Sequence, residues 1–90
     1  MPADQLAAVA LDEVVLHGWD LAAATGQSFR CDPASTEIVL SFTTAAAQPE
    51  FAALRQGLFG PVVQVPPGSP DLDRALGYAG RDPLWSPSLV

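Results

Sequence analysis

Three ionisable side chains in the first third of the chain share a spacing that suits metal chemistry. Glu13, His17 and Asp20 stand at positions i, i+4 and i+7, which on a helix places them within an arc of about 60° on one face. Carboxylate oxygen and neutral imidazole nitrogen are both normal ligands of zinc and similar divalent ions. The spacing therefore indicates Glu13 and His17 as candidate metal ligands. Asp20 would be a supporting acceptor that orients an imidazole or caps backbone groups.

A plainer interpretation stays open, and the spacing alone favours it. Glu13 and His17 would then form an ordinary i, i+4 pair on a partly solvated face, which contributes about a few tenths of a kcal/mol. The metal interpretation needs more, because zinc sites usually have at least three protein ligands and His17 is the only histidine. Cys31 is the one soft candidate, although a lone cysteine is most often a small core hydrophobe. A complete site needs a ligand from outside this helix.

Other catalytic patterns find little support in the sequence. No second histidine is present to activate a serine or threonine, which argues against a Ser-His-Asp hydrolase, and there is no Gly-rich phosphate loop. The acidic residues Asp71, Asp73 and Asp82 are explained as first-turn helix acids and a turn residue. Aromatic residues in the loops are expected to pin those loops onto a core.

The elements that position these residues are predicted to be helices. Good helix formers run from Ala3 to Thr25, and Gly26 follows as a left-handed stop. Apolar residues lie on almost every side of this first helix, which predicts a buried helix. Gly18 within it suggests close packing against a neighbour.

Capping and proline signals predict three shorter helices further along the chain. The stretch from Val62 to Val65 lies between prolines and is predicted to be extended, at most an edge piece. The predicted helices run from Pro33 to Ala47 with Asp32 as cap, from Pro49 to Gln56 with Gly57 as stop, and from Pro70 to near Gly80 with Ser69 as cap.

Composition describes one small acidic domain. The chain has 90 residues, of which 49% are apolar, and a net charge of −6, so it is too short for two domains. The negative charge argues against nucleic acid and anionic membranes as partners. No stretch approaches the roughly 20 apolar residues of a spanning helix, and Asp4 stands where a secretory signal would carry positive charge. We therefore expect a cytoplasmic protein.

Two parts of the chain resemble one known family. The segment from Leu11 to Gln27 carries the pattern Glu-x-x-x-His-Gly-Trp-Asp-Leu-Ala followed by Thr-Gly-Gln. It resembles the last bundle helix of the DinB-like, mycothiol-dependent maleylpyruvate isomerase family of metal-binding proteins. In the tail, Leu58-Phe59-Gly60-Pro61 and Gly80-Arg81-Asp82-Pro83 are similar to the C-terminal end of the same group. The matches span most of the chain and are weaker between residues 28 and 56.

The resemblance implies an all-α fold, namely a helical fragment of a DinB-like four-helix bundle with a Pro/Gly-rich C-terminal extension. Residues 1–26 would be the last bundle helix with the metal motif, 27–57 a second helical segment, and 58–90 a loop-rich tail with a short helix near 70–80. The resemblance also implies a divalent metal, typically zinc, at Glu13 and His17, with Asp20 in a supporting role. Mycothiol would be the thiol cofactor of an isomerase or transferase type of reaction.

One family ligand, a histidine on an earlier helix, has no counterpart because the resemblance begins at the last bundle helix. We therefore expect a C-terminal fragment that is not catalytically complete by itself, the missing N-terminal helices supplying the absent ligand. The alternative is a small helical interaction module whose first helix docks on a partner chain or on its own copy. Such a homo-oligomer would bring two Glu13/His17 pairs together in a four-ligand site.

Overall fold

The computed structural model describes residues 2–87, and their regular structure is entirely helical. No strand occurs within this range, which confirms the all-α expectation at the level of fold class. The described chain measures 44 × 26 × 25 Å. Its helices are α1 (Ala3–Ala24), α2 (Pro33–Ala46), a 3-10 turn (Pro49–Phe51) that leads into α3 (Ala52–Leu58), and α4 (Asp71–Tyr78).

The end of α1 follows the expected chemistry within one residue. Thr25 is the C-cap, and its hydroxyl donates to the carbonyl of Leu21 at 2.8 Å. Gly26 then adopts a φ of 71°, the left-handed conformation that suits glycine after a helix. The close packing suggested at Gly18 is also present, since a Cβ there would lie 2.8 Å from the Phe29 ring. These contacts fix the turn that returns the chain toward α2.

The start of α2 is confirmed as predicted. The Asp32 carboxylate accepts a hydrogen bond from the backbone N–H of Ser35 at 2.9 Å, and Pro33 occupies the first turn. This bond lowers the pKa of Asp32 below its ordinary value, because it favours the charged carboxylate. The bond satisfies one of the backbone N–H groups that the first turn of a helix leaves without a partner.

Two predicted helix boundaries were wrong. The third helix does not stop at Gly57 but continues through it to Leu58, because Gly57 keeps an ordinary helical φ and leaves the ladder intact. Ser69 does not cap α4, because its hydroxyl donates to the carbonyl of Pro66 at 2.6 Å. Pro70 is the N-cap instead, and α4 begins at Asp71.

The loop between α3 and α4 lies across α4 without forming a strand. The backbone N–H of Val63 donates to the carbonyl of Gly77 at 2.9 Å. A Cβ at Gly77 would lie 2.6 Å from the Val63 carbonyl oxygen, so this approach requires glycine. The extended stretch predicted around Val63 therefore pairs with the end of a helix rather than with a sheet edge.

The core lies where α4 meets the longer helices. α2 packs against both α1 and α4, and Leu76 of α4 is fully buried with Leu16 of α1 and Phe59 of the loop. Burial of a leucine side chain contributes about 2 kcal/mol. A second buried group, Val15, Val39 and Ala75, lies beside the first, and Leu72 contacts both.

One face of α1 remains outside this core. The prediction that α1 is buried on every side was wrong for residues 2–87, since Leu6, Val14 and Leu21 are exposed. The opposite face, with Val15 and Leu16, is the one that packs. No helix in the described range has the length and apolar character needed to cross a membrane.

Candidate functional site

Glu13 and His17 lie together on the exposed side of α1. His17 Nε2 is 3.4 Å from Glu13 Oε2, and the two side chains are 68% and 46% exposed, respectively. They come from consecutive turns of a regular helix, which is why the i, i+4 spacing brings them together. The pair is therefore present on a partly solvated face, which is the arrangement of the plainer interpretation, and not in the core.

Asp20 is held by a different partner. Its Oδ1 accepts from Arg81 Nε at 3.0 Å and its Oδ2 accepts from Arg81 Nη2 at 2.8 Å. Arg81 also donates to the carbonyl of Ala79 at 3.1 Å. The sequence spacing placed Asp20 beside Glu13 and His17. In the structure, the Asp20 carboxylate instead pairs with Arg81, which follows α4.

Asp12 is a buried ionisable residue that the sequence interpretation missed. It is only 1% exposed, and its Oδ1 has no hydrogen-bond partner within residues 2–87. Burial, followed by the negative charge of Glu13, raises the pKa of Asp12 from 3.8 to about 7, while the charges of Arg81 and His17 act in the opposite direction. A helical wheel could have predicted the burial of Asp12, because this residue lies on the same face of α1 as Val15 and Leu16.

Cys31 does not join the Glu13/His17 pair. It is half-buried and packs against the second core group, beside Val15 and Val39, as expected of a small hydrophobe. Within residues 2–87, no group of three or more His, Cys, Asp or Glu side chains is arranged to hold a metal ion. The described chain thus offers two ligands on one helix.

Two ligands of this kind fit half of a divalent metal site. A carboxylate and an imidazole that approach each other on one helix face can bind one ion together. Their exposure leaves the outward side of the pair open to further ligands. Any such ligands would have to come from a second surface that faces α1.

Comparisons of the chain with protein-family models, with curated proteins and with solved structures find no match. The metal interpretation therefore rests on the sequence pattern from Leu11 to Gln27 and on the geometry of α1.

Proposed function

We propose that this chain is a metal-binding helical module in which α1 provides half of a divalent metal site. Glu13 and His17 are the ligands, and zinc is the metal that their chemistry fits best. The observation that carries the proposal is the 3.4 Å approach of the carboxylate and the imidazole on an otherwise apolar, exposed helix face.

The surroundings of the pair favour a site that a second helical surface completes. Leu6, Val14 and Leu21 are exposed on the same side of α1, which is unusual for a face that stays in water. A helix docked on these residues would exclude water from the Glu13/His17 pair and could add the missing ligands. This arrangement corresponds to the bundle that the family resemblance implies.

A metal in such a site would act as a Lewis acid that favours the thiolate form of a bound low-molecular-weight thiol, mycothiol in the resembling family. Glu13 and His17 would hold the ion from the α1 side. The apolar neighbours would limit access of water to the thiol. The class that we propose is a thiol-dependent isomerase or transferase domain, of which this chain would be one part.

Native mass spectrometry with added zinc tests the proposal directly. Because the described chain offers two ligands, we expect weak zinc binding, seen at excess zinc, removed by a chelator and absent from the E13Q/H17Q double variant. Asp4→Asn is the matched control, because it removes an exposed charge on the same helix outside the pair. Equal zinc retention by the double variant and by the control would contradict the assignment of the ligands.

The second candidate is a helical interaction module that self-associates through α1. The exposed Val14 and Leu21 favour it, and it needs no metal. The two candidates differ in their response to chelation. A dimer whose mass and stability are unchanged by the chelator would favour the interaction module, whereas a dimer that separates when zinc is removed would favour a shared metal site.

A further inference from the structure

A cleft lies between the C-terminal half of α1 and the segment around α4, and aromatic side chains are among the residues that line it. One part of it has a volume of about 270 Å³ and is lined by Trp19, Phe29, Trp85 and Asp73, among others. An adjoining part of about 460 Å³ shares Trp19 and Trp85 and also reaches Arg81. Both tryptophans of the chain therefore line one cleft.

The charge of this cleft is negative. Among residues 2–87, Asp73 is the only ionisable residue that lines the smaller part. In the larger part, the charge of Arg81 is balanced by Asp20 through two hydrogen bonds. The Asp82 carboxylate accepts from the backbone N–H of Leu84 at 2.9 Å, as a turn residue does, and has no cationic partner among residues 2–87. An anionic ligand would be repelled, and a cation would be attracted.

Asp71 and Asp73 both lie in the first turn of α4, as predicted, but only Asp73 also lines the cleft. Asp71 stands in the same first turn of α4, where a negative charge favours the helix dipole, but it is exposed and pairs with Arg74 at 3.5 Å. Asp73 is half-buried, lines the cleft, and makes no hydrogen bond or ion pair with another described side chain. Its carboxylate is therefore available to a ligand in the cleft.

Aromatic rings beside a carboxylate are the groups that recognise organic cations. The face of a tryptophan ring attracts an ammonium ion, and the attraction increases when water is excluded. We propose that this cleft binds a small alkylammonium ion, with Trp19 and Trp85 contacting the cationic group and Asp73 balancing its charge. The volume of the smaller part accommodates a trimethylammonium group, and the larger part leaves room for a substituent.

Intrinsic fluorescence tests this proposal, because both tryptophans line the cleft. We expect choline to change the fluorescence of the full chain in a saturable manner. The neutral isostere of choline, in which carbon replaces the quaternary nitrogen, should bind at least about fivefold more weakly, since it lacks the attraction to the rings and to the carboxylate. Calorimetry provides a readout that does not depend on the tryptophans.

The decisive comparison uses two variants with the same charge change on the same helix. Asp73→Asn should weaken choline binding by about fivefold, whereas Asp71→Asn should change it by less than about twofold, because an exposed charge outside the cleft acts only at long range. Trp85→Leu should also weaken binding in calorimetry. Trp85 is an exposed loop residue, so the fold is expected to survive this change, as circular dichroism will show.

Equal binding of choline and its neutral isostere would overturn the proposal, as would equal effects of the Asp73 and Asp71 variants. A folded chain that shows no saturable response to choline would also overturn it. None of these outcomes depends on zinc, so the metal proposal for Glu13 and His17 can fail or succeed independently.

Discussion

Asp20 and Arg81 form a two-pronged ion pair across 61 positions of the chain, with N···O distances of 3.0 and 2.8 Å. The pair joins the C-terminal half of α1 to the segment that follows α4. Both side chains retain partial access to water, which weakens the attraction, but two parallel hydrogen bonds give it a defined geometry. Leu76 of α4 also packs with Leu16 of α1, so an ion pair and an apolar contact both join these two parts of the chain.

A double-mutant cycle of Asp20→Asn and Arg81→Gln should give a coupling free energy of about 1 kcal/mol, near the upper end for accessible pairs. The exposed pair Asp71–Arg74, with a single 3.5 Å contact, is the matched control and should give about 0.3 kcal/mol or less. Urea unfolding of the four variants of each cycle measures both values. Coupling of equal size in the two cycles would contradict the special role of the Asp20–Arg81 pair.

Asp12 should make the folded chain less stable as the pH rises. Its pKa is raised to about 7 in the folded state from 3.8, so between these values the unfolded chain releases a proton that the folded chain retains. The free energy of unfolding should therefore fall by up to about 1.4 kcal/mol per pH unit through this range. Below pH 3.8, where both states are protonated, the effect disappears.

Asp12→Asn isolates that contribution, because the amide stays neutral at every pH. The variant should be more stable than the parent chain at pH 8 and should show a flatter decline in stability between pH 5 and pH 8. Asp4→Asn makes the same charge change at an exposed position of α1 and serves as the control. If thermal unfolding shows the same pH slope for Asp12→Asn and the parent chain, Asp12 is not buried as described.

Local signals in the sequence predicted the helices because each depends on a few neighbouring residues. Asp32 caps α2 and Gly26 follows α1 in a left-handed conformation, as their residue types require. The errors arose at residues whose type is compatible with two local structures. Ser69 bonds to the Pro66 carbonyl instead of capping α4, and Gly57 stays within α3.

The candidate site was only partly predictable, for a different reason. The i, i+4 spacing is enough to bring Glu13 and His17 together, since both stand on one helix. The partner of Asp20 is Arg81, which follows α4 and could not be assigned without the tertiary fold. Which face of α1 packs also depends on α2 and α4, so the exposure of Glu13 could not be read from a helix with apolar residues on almost every side.

Gly77 should be intolerant of a side chain. Gly77→Ala would place a Cβ 2.6 Å from the Val63 carbonyl oxygen and would break the close approach of the loop to α4. We expect a loss of about 1 to 3 kcal/mol, typical of overpacking. Gly57→Ala is the control, because a Cβ there meets nothing within 4 Å and alanine favours the helix by about 1 kcal/mol.

In chemical unfolding, the free energy of unfolding should therefore fall in Gly77→Ala and rise in Gly57→Ala. A Gly77→Ala variant as stable as the parent chain would mean that the loop does not lie against α4. Loss of stability in Gly57→Ala would mean that α3 does not continue through this residue.

Adjacent valines on α1 test which face of the helix is free. Val14 is 71% exposed and Val15 is 5% exposed, so the same substitution should have very different effects one position apart. Val15→Ala should cost about 2 kcal/mol of unfolding free energy through lost core packing. Val14→Ala should change it by less than about 0.5 kcal/mol in dilute solution, because it removes no buried contact.

The stability of the same variants at several protein concentrations tests whether a second copy docks on the exposed face of α1. If the exposed face of α1 binds a second copy, Val14→Ala should lower the concentration-dependent part of the stability, since association stabilises the folded state by mass action. Analytical ultracentrifugation of both variants separates this effect from folding. A Val14→Ala variant that loses as much stability as Val15→Ala at every concentration would show that this face is buried within a single chain, and would remove the basis for a docking surface beside Glu13 and His17.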